Sequence, residues 1–165
     1  MKVKKVCLVG DFAVGKTSLV ARFVNHTFSD KYLTTVGVSI KTKIIEQAAG
    51  AELKLIIWDL AGEDKFSNAA ERYLHGANGL LVVADGTRSE TVNAAEKLQA
   101  QASAILGEVP MVSLLNKADL TTQWVSEMPA AGDLTGKEIN GRIPTSAKTG
   151  LNVEFAFRQL AAQLK

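Results

Sequence analysis

The residues best suited to chemistry lie in one stretch, Gly10-Asp11-Phe12-Ala13-Val14-Gly15-Lys16-Thr17, which has the phosphate-loop spacing G-x-x-x-x-G-K-[ST]. Glycines at its two ends let the backbone turn tightly. Successive N–H groups and the positive end of the following helix dipole then address one small volume. Lys16 adds a full positive charge there, and the Thr17 hydroxyl is a hard oxygen suited to Mg²⁺. A second candidate is Asp59, which ends the apolar run Leu53 to Trp58 and precedes Ala61-Gly62. A carboxylate at such a strand tip can hold Mg²⁺ through water, and the glycine lets a backbone N–H approach a terminal phosphate. Alone, Asp59 would read as an ordinary solvated carboxylate; the loop upstream gives it a role.

The third candidate is Asn116-Lys117-Ala118-Asp119. A phosphate loop does not distinguish adenine from guanine nucleotides, but a carboxylate in the ring plane does. Asp119 can accept two hydrogen bonds from guanine N1–H and the 2-amino group, and adenine has no such donor pair. Asn116 can bond the base and tie strands together, while the stem of Lys117 covers one purine face. Phe28 is placed to close the other edge by aromatic contact, and Ala147 to present its backbone N–H to guanine O6.

These residues need strands that end where they sit. Val6-Cys7-Leu8-Val9 reads as a buried parallel strand, and Leu19, Val20, Phe23 and Val24 share one helix face, so the phosphate loop has the flanks it requires. Asn25 to Gly37, with Phe28, Asp30, Tyr32, Thr34 and Thr35, reads as a functional loop. Val38, Ile40, Thr42 and Ile44 then alternate with Ser39, Lys41, Lys43 and Ile45, and Ala49-Gly50 turns the chain into Leu53 to Trp58, which predicts an antiparallel pair. Phe66 to His75 reads as a short helix with Tyr73 and Leu74 inward, followed by the strand Leu80 to Ala84. Ser89 is the expected cap of a helix carrying Val92, Ala95, Leu98, Ala102 and Ile105, stopped by Gly107 and Pro110. Met111 to Leu115 is a further strand that delivers Asn116. Between Gln123 and Gly141, glycines and Pro129 allow only short helical pieces. A last strand, Arg142 to Thr145, leads to Ser146-Ala147-Lys148, and Val153, Ala156, Phe157, Leu160, Ala161 and Leu164 form the stripe of a closing helix. The alternation predicts an α/β fold with a largely parallel sheet, helices on both faces and ligands at the carboxyl ends of the strands.

Composition narrows the function classes. The 165 residues, 47% hydrophobic, suffice for one domain, residues 1–165, with a buried core. A net charge of +2 with dispersed Lys and Arg argues against nucleic acid. No run approaches the ~20 apolar residues of a membrane span, and there is no signal-peptide pattern, so a cytoplasmic protein is expected. The single cysteine, Cys7, lies inside the first strand and reads as a small hydrophobe. Position 2 is Lys and the last five residues contain no Cys, so no lipid anchor is encoded in this stretch.

Taken together, the chain resembles the Ras superfamily of small GTPases over nearly its whole length, closest to the Rab and Rho patterns. The resemblance rests on the phosphate loop, Thr34-Thr35-Val36-Gly37, Trp58-Asp59-Leu60-Ala61-Gly62-Glu63, Asn116-Lys117-Ala118-Asp119 and Thr145-Ser146-Ala147-Lys148, in the family's order and spacing. It implies a P-loop NTPase G domain, with a six-stranded, mostly parallel sheet and one antiparallel edge strand. It further implies a monomeric switch that binds GTP or GDP with Mg²⁺ and hydrolyses GTP. Ala13, Val14, Gly15, Lys16, Thr17, Ser18, Phe28, Asp30, Thr35, Gly62, Asn116, Lys117, Asp119, Ser146, Ala147 and Lys148 would contact nucleotide. Thr17 and Thr35, with Asp59 through water, would hold the metal. Lys16, Thr35, Gly62 and Glu63 would serve hydrolysis. Residues 25–37 and 60–73 would be the switch regions, through which effectors, exchange factors and activating proteins act. Trp58 and Tyr73 match effector-contacting aromatics of Rab-like members, and Ile40 stands where that pattern has a third aromatic.

Two departures bear on rate. Phe12 replaces a small residue and crowds the path of a partner's arginine finger, which is worth about 10³ to 10⁵ in rate. Glu63 replaces the glutamine that orients the attacking water; an ionised carboxylate only accepts hydrogen bonds, and it faces a phosphate that is already negative. Slow hydrolysis is the expectation, with a nucleotide-stabilised scaffold that scarcely turns over as the alternative. Leu60, Asp64 and Gly86 also depart from common family residues, with smaller expected effects. His26 and His75 read as exposed or locally bonded side chains, and Trp124 as either a partner surface or a covered core residue.

Overall fold

The computed structural model describes residues 1–31, 34–63, 65–125 and 133–165. Tyr32, Asp64, Pro129 and Gly132 lie outside the described residues. Strands β1 (Lys2–Gly10), β2 (Val38–Glu46), β3 (Glu52–Leu60), β4 (Gly79–Asp85), β5 (Met111–Asn116) and β6 (Arg142–Pro144) form one sheet in the order β2-β3-β1-β4-β5-β6. Only β2 runs antiparallel, against β3; the other neighbours are parallel, as the alternating pattern predicts.

Helices cover both faces: α1 (Lys16–Asn25) and α4 (Val153–Ala161) on one, α2 (Asn68–Leu74) and α3 (Ser89–Leu106) on the other. In β1, Val6 and Leu8 enter the first core while Cys7 and Val9 enter the second. Over residues 6–9 both faces of this strand are dry, which is why that run is apolar without alternation. Phe23 of α1 stacks on Phe157 of α4 with centroids 3.9 Å apart and planes within 5°, locking the two helices together. Burial drives the Cys7 thiol up to about 12, consistent with a packed hydrophobe.

Local signals refine the element ends. α2 is shorter than Phe66 to His75: it starts at Asn68 because the Ser67 hydroxyl accepts the Ala70 N–H, a regular N-cap. Ser89 does not cap α3. Arg88 holds the cap position, and the Thr91 hydroxyl accepts the Asp85 N–H at 2.9 Å while donating to the Arg88 carbonyl at 2.7 Å. No side chain caps this helix; the buried Thr91 instead ties its first turn to the end of β4. Of the stretch from Gln123 to Gly141, where short helical pieces are expected, residues 126–132 lie outside the described residues, and Gln123 ends a 3-10 turn over Thr121–Gln123. Among the described residues 133–141 there are turns and one bridge, Ile139 to Arg142. Among the described residues, no helix is long and apolar enough to cross a membrane.

Candidate nucleotide site

The carboxyl ends of β1, β3 and β5 and the segment after β6 meet at one pocket of about 300 Å³. Every residue predicted to touch nucleotide or metal lines it except Val14, Asp59 and Ser146, which stand behind the lining. The exceptions are informative: Val14 is held in place by Asn116, Asp59 gathers two hydroxyls and Ser146 bonds Asp119.

The phosphate loop is held by its carbonyls. Gly15, with φ near +100°, takes the left-handed turn before α1. A Cβ there would lie 2.3 Å from Asn116 Nδ2, so glycine is also required for space. Asn116 Nδ2 donates to the Val14 carbonyl at 3.0 Å, and Asn116 Oδ1 accepts the Thr145 hydroxyl at 3.1 Å, which ties the loop to β5 and to the end of β6. Lys117 Nζ donates to the Ala13 carbonyl at 3.0 Å. Lys16 is 6% exposed, and its ammonium reaches the carbonyls of Gly10 (3.2 Å) and Asp11 (3.1 Å). Burial lowers the Lys16 pKa to about 8, against smaller opposing effects from Asp59, Asp11 and Glu63. A desolvated cation whose hydrogen-bond partners among the described residues are carbonyls is poised for an anion.

Three oxygens converge beside it. Thr17 Oγ1 and Thr35 Oγ1 lie 2.6 Å apart, and both donate to Asp59 Oδ2, at 2.6 and 3.2 Å. Asp59 is 2% exposed, and its Oδ1 is buried without a hydrogen-bond partner among the described residues. Burial raises the Asp59 pKa; the Thr17 hydroxyl, Lys16 and the Thr35 hydroxyl oppose that rise. A buried carboxylate oxygen lacking a partner, beside two hydroxyls, is a hard-oxygen set that fits Mg²⁺. No group of three His, Cys, Asp or Glu is found among the described residues. That is compatible with Mg²⁺, which is usually held by one or two carboxylates, waters and substrate phosphates.

Gly62 lies against the phosphate loop: a Cβ would sit 2.6 Å from Phe12 Cα, and the Glu63 N–H donates to the Gly10 carbonyl at 3.1 Å. The Glu63 carboxylate does not extend into the pocket. Its Oε2 accepts the Ser67 N–H at 2.8 Å, at the leading end of α2. Phe12 is 52% exposed and lines the pocket.

At the other end, Asp119 Oδ1 accepts the Ser146 hydroxyl at 2.7 Å, which fixes the carboxylate plane where a purine edge would lie. Phe28 and Ala147 border the same space. Arg22 of α1 was not legible as a site residue: its guanidinium donates to the carbonyls of Ala147 (2.8 Å) and Lys148. Asp85 and Arg88 were missed too, although an acid ending an apolar strand was the very signal used for Asp59. Asp85 is fully buried; it pairs with Lys117 Nζ at 2.8 Å and Arg88 Nε at 3.1 Å. Burial pushes the Asp85 pKa up, but hydrogen bonds from Lys117, Thr87 and Arg88 together hold it below the usual carboxylate value.

Trp58 and Tyr73 are neighbours, with centroids 6.2 Å apart, and Lys5 Nζ lies 3.8 Å over the Trp58 ring. Trp124 packs into the second core. Compared with known proteins, residues 5–165 match the family model described as Ras family.

Proposed function

The chain belongs to the Ras family of GTP-binding GTPases, and on that premise we propose a slow guanine-nucleotide switch of the Rab-like kind. Lys16 and the amides of the phosphate loop bind the phosphates. Thr17 and Thr35, with Asp59 through water, hold Mg²⁺, which when bound neutralises charge developing on the transferred phosphoryl. Asp119, Asn116, Lys117 and the Ala147 N–H read guanine; Phe28 covers the base, Asp30 lies beside the ribose, and Ser18, Ser146 and Lys148 complete the contacts. Thr35 and Gly62 sense the γ-phosphate, so its loss releases the switch regions 25–37 and 60–73 and alters a surface read by effector, exchange and activating proteins. We place the switch in the cytoplasm, in signal transduction, as a single-domain monomer.

The observation that carries this reading is the convergence of Thr17 and Thr35 on a buried Asp59 with one unpartnered oxygen. Threonine 35 comes from the segment before β2, so a loop contact depends on the metal site. Slow hydrolysis rests on Phe12 at the mouth of the pocket and on Glu63 bonded to Ser67. The scaffold alternative is favoured by that same Glu63 contact. Single-turnover measurement on the GTP-loaded protein tests both. Wild type is expected to hydrolyse at least tenfold more slowly than the Phe12→Gly, Glu63→Gln double variant, and equal rates would refute slow hydrolysis by these residues. Bound GTP unchanged over days would favour the scaffold.

A further inference from the structure

Three successive carbonyls of the phosphate loop are held by side chains from elsewhere. Val14 O is bonded by Asn116 and Ala13 O by Lys117, both from the base-reading motif; Phe12 O is bonded at 2.7 Å by Arg88 Nη2. In a trans peptide the carbonyl of one residue and the N–H of the next point in opposite directions, and no peptide bond among those described is cis. Holding these carbonyls on the protein side therefore turns the N–H groups of Ala13, Val14 and Gly15 the other way. Ala13 and Gly15 line the pocket.

The loop needs to be held. Ala13 has φ near +59°, a left-handed conformation that costs an alanine about 1–2 kcal/mol and is not self-sustaining. Arg88 is well built for the task. Its Nε is anchored to the fully buried Asp85, which also anchors Lys117, so one carboxylate fixes both cations that grip adjacent carbonyls. Asp85 does not need Arg88 for its own satisfaction: Lys117 Nζ, the Thr87 N–H and the Thr87 hydroxyl reach it at 2.8, 2.8 and 2.7 Å. The shorter bond made by Arg88 goes to Phe12. Arg88 does not line the pocket itself.

We infer that Arg88 is a positioning residue that acts through the Phe12 carbonyl to present the Ala13 N–H to the phosphates of the nucleotide. The inference rests on the nucleotide reading above. It also gives Phe12 a context: the residue whose side chain crowds the pocket mouth has its backbone gripped from behind.

The test uses the full chain as wild type, Arg88→Met, Arg88→Lys and, as a control on an exposed ion pair, Glu154→Ala. Affinities for a non-hydrolysable GTP analogue and for GMP are measured at fixed Mg²⁺, with ³¹P spectra of the bound analogue. Arg88→Met should reduce the preference for the triphosphate over GMP about tenfold and shift the bound ³¹P resonances, the scale of one charge-assisted hydrogen bond. Arg88→Lys, which keeps a charged donor, should recover part of both, and Glu154→Ala should change neither. Equal weakening of the two ligands, or a lowered Tm with unchanged ratio and spectra, would overturn the inference. A wild type that prefers adenine nucleotides would overturn the base reading alone, since loop amides do not sense the base; the ratio is then read with an ATP analogue and AMP.

Discussion

Substituting Gly86 by alanine should set two residues against each other. A Cβ at Gly86 would lie 2.2, 2.3 and 2.5 Å from three ring carbons of Trp124. The backbone cannot yield readily: the Gly86 N–H donates to the Asn116 carbonyl at 3.0 Å, and the Gly86 carbonyl accepts the Val125 N–H at 2.9 Å. The ring must leave its seat against the second core, and such overpacking costs about 1–3 kcal/mol. Trp124→Ala alone should cost about 2 kcal/mol, less than the ~3–5 of a fully buried aromatic, because the ring is only partly covered. Removing the ring removes these three nearest contacts. Gly86→Ala then only stiffens the unfolded chain and should be neutral or stabilising by up to about 1 kcal/mol. The coupling between the sites is therefore about 2 kcal/mol, with a change of sign. Urea unfolding at one saturating nucleotide concentration, followed by far-UV circular dichroism, measures the cycle. Additive single effects would refute the claim that Gly86 is glycine because Trp124 occupies its Cβ position. GDP release should also quicken in Gly86→Ala, because the strained peptide is bonded to Asn116.

Other expectations address the site and the core. Asp59→Asn should abolish most of the strengthening of nucleotide binding by Mg²⁺ while sparing Mg²⁺-free binding; an undiminished Mg²⁺ effect in titrations would remove Asp59 from the metal site. Ser146→Ala frees the Asp119 carboxylate and should weaken GDP about three- to tenfold, the worth of one hydrogen bond to a charged group, as read by displacement titration. Cys7, with its pKa raised to about 12, should resist thiol reagents at pH 8 until the chain is unfolded. Its linkage has a definite sign: the folded thiol stays protonated while the unfolded one ionises near 9, so this contribution to stability is intact below pH 9 and declines from there toward pH 12. Stability that rises over that interval in Cys7-containing protein relative to Cys7→Ala would contradict it.

Much of this was legible because the loop and strand-end motifs are short and local. The phosphate loop, Asp59 and Asn116 to Asp119 each end a strand, so apolar runs located them at once. Asp85 ends β4 in the same way, yet no neighbouring motif drew attention to it; its role depends on Lys117 and Arg88, which only the fold brings together. Arg22 is harder still: it lies on the polar side of α1, and its partners are backbone carbonyls more than a hundred residues away. The cap of α3 was misread for a related reason. Ser89 has the right chemistry for a cap, but Arg88 takes the cap position without a side-chain bond, and the start of the helix is fixed by the buried Thr91 hydroxyl bonding Asp85 and the Arg88 carbonyl. Local propensity sees the serine and not the burial that makes the threonine decisive.

The two segments that face the end of the pocket are held by unlike forces. Threonine 35 is drawn in by its hydroxyl, through Thr17 and a carboxylate whose burial is costly until a cation relieves it. Gly62 and Glu63 are drawn in by backbone, through close packing on Phe12 and the bond to the Gly10 carbonyl, while the Glu63 side chain closes on Ser67. Phe12 and Glu63, the two departures expected to bear on rate, both belong to the second set. On the proposed function, sensing of the terminal phosphate through Thr35 would therefore be chemically separable from the step that removes it. Replacing Glu63 by Gln should alter the hydrolysis rate while leaving intact the difference between the GTP-analogue and GDP states in a Thr35-dependent readout, such as its methyl resonance. Loss of both together would mean that the two segments act as one unit.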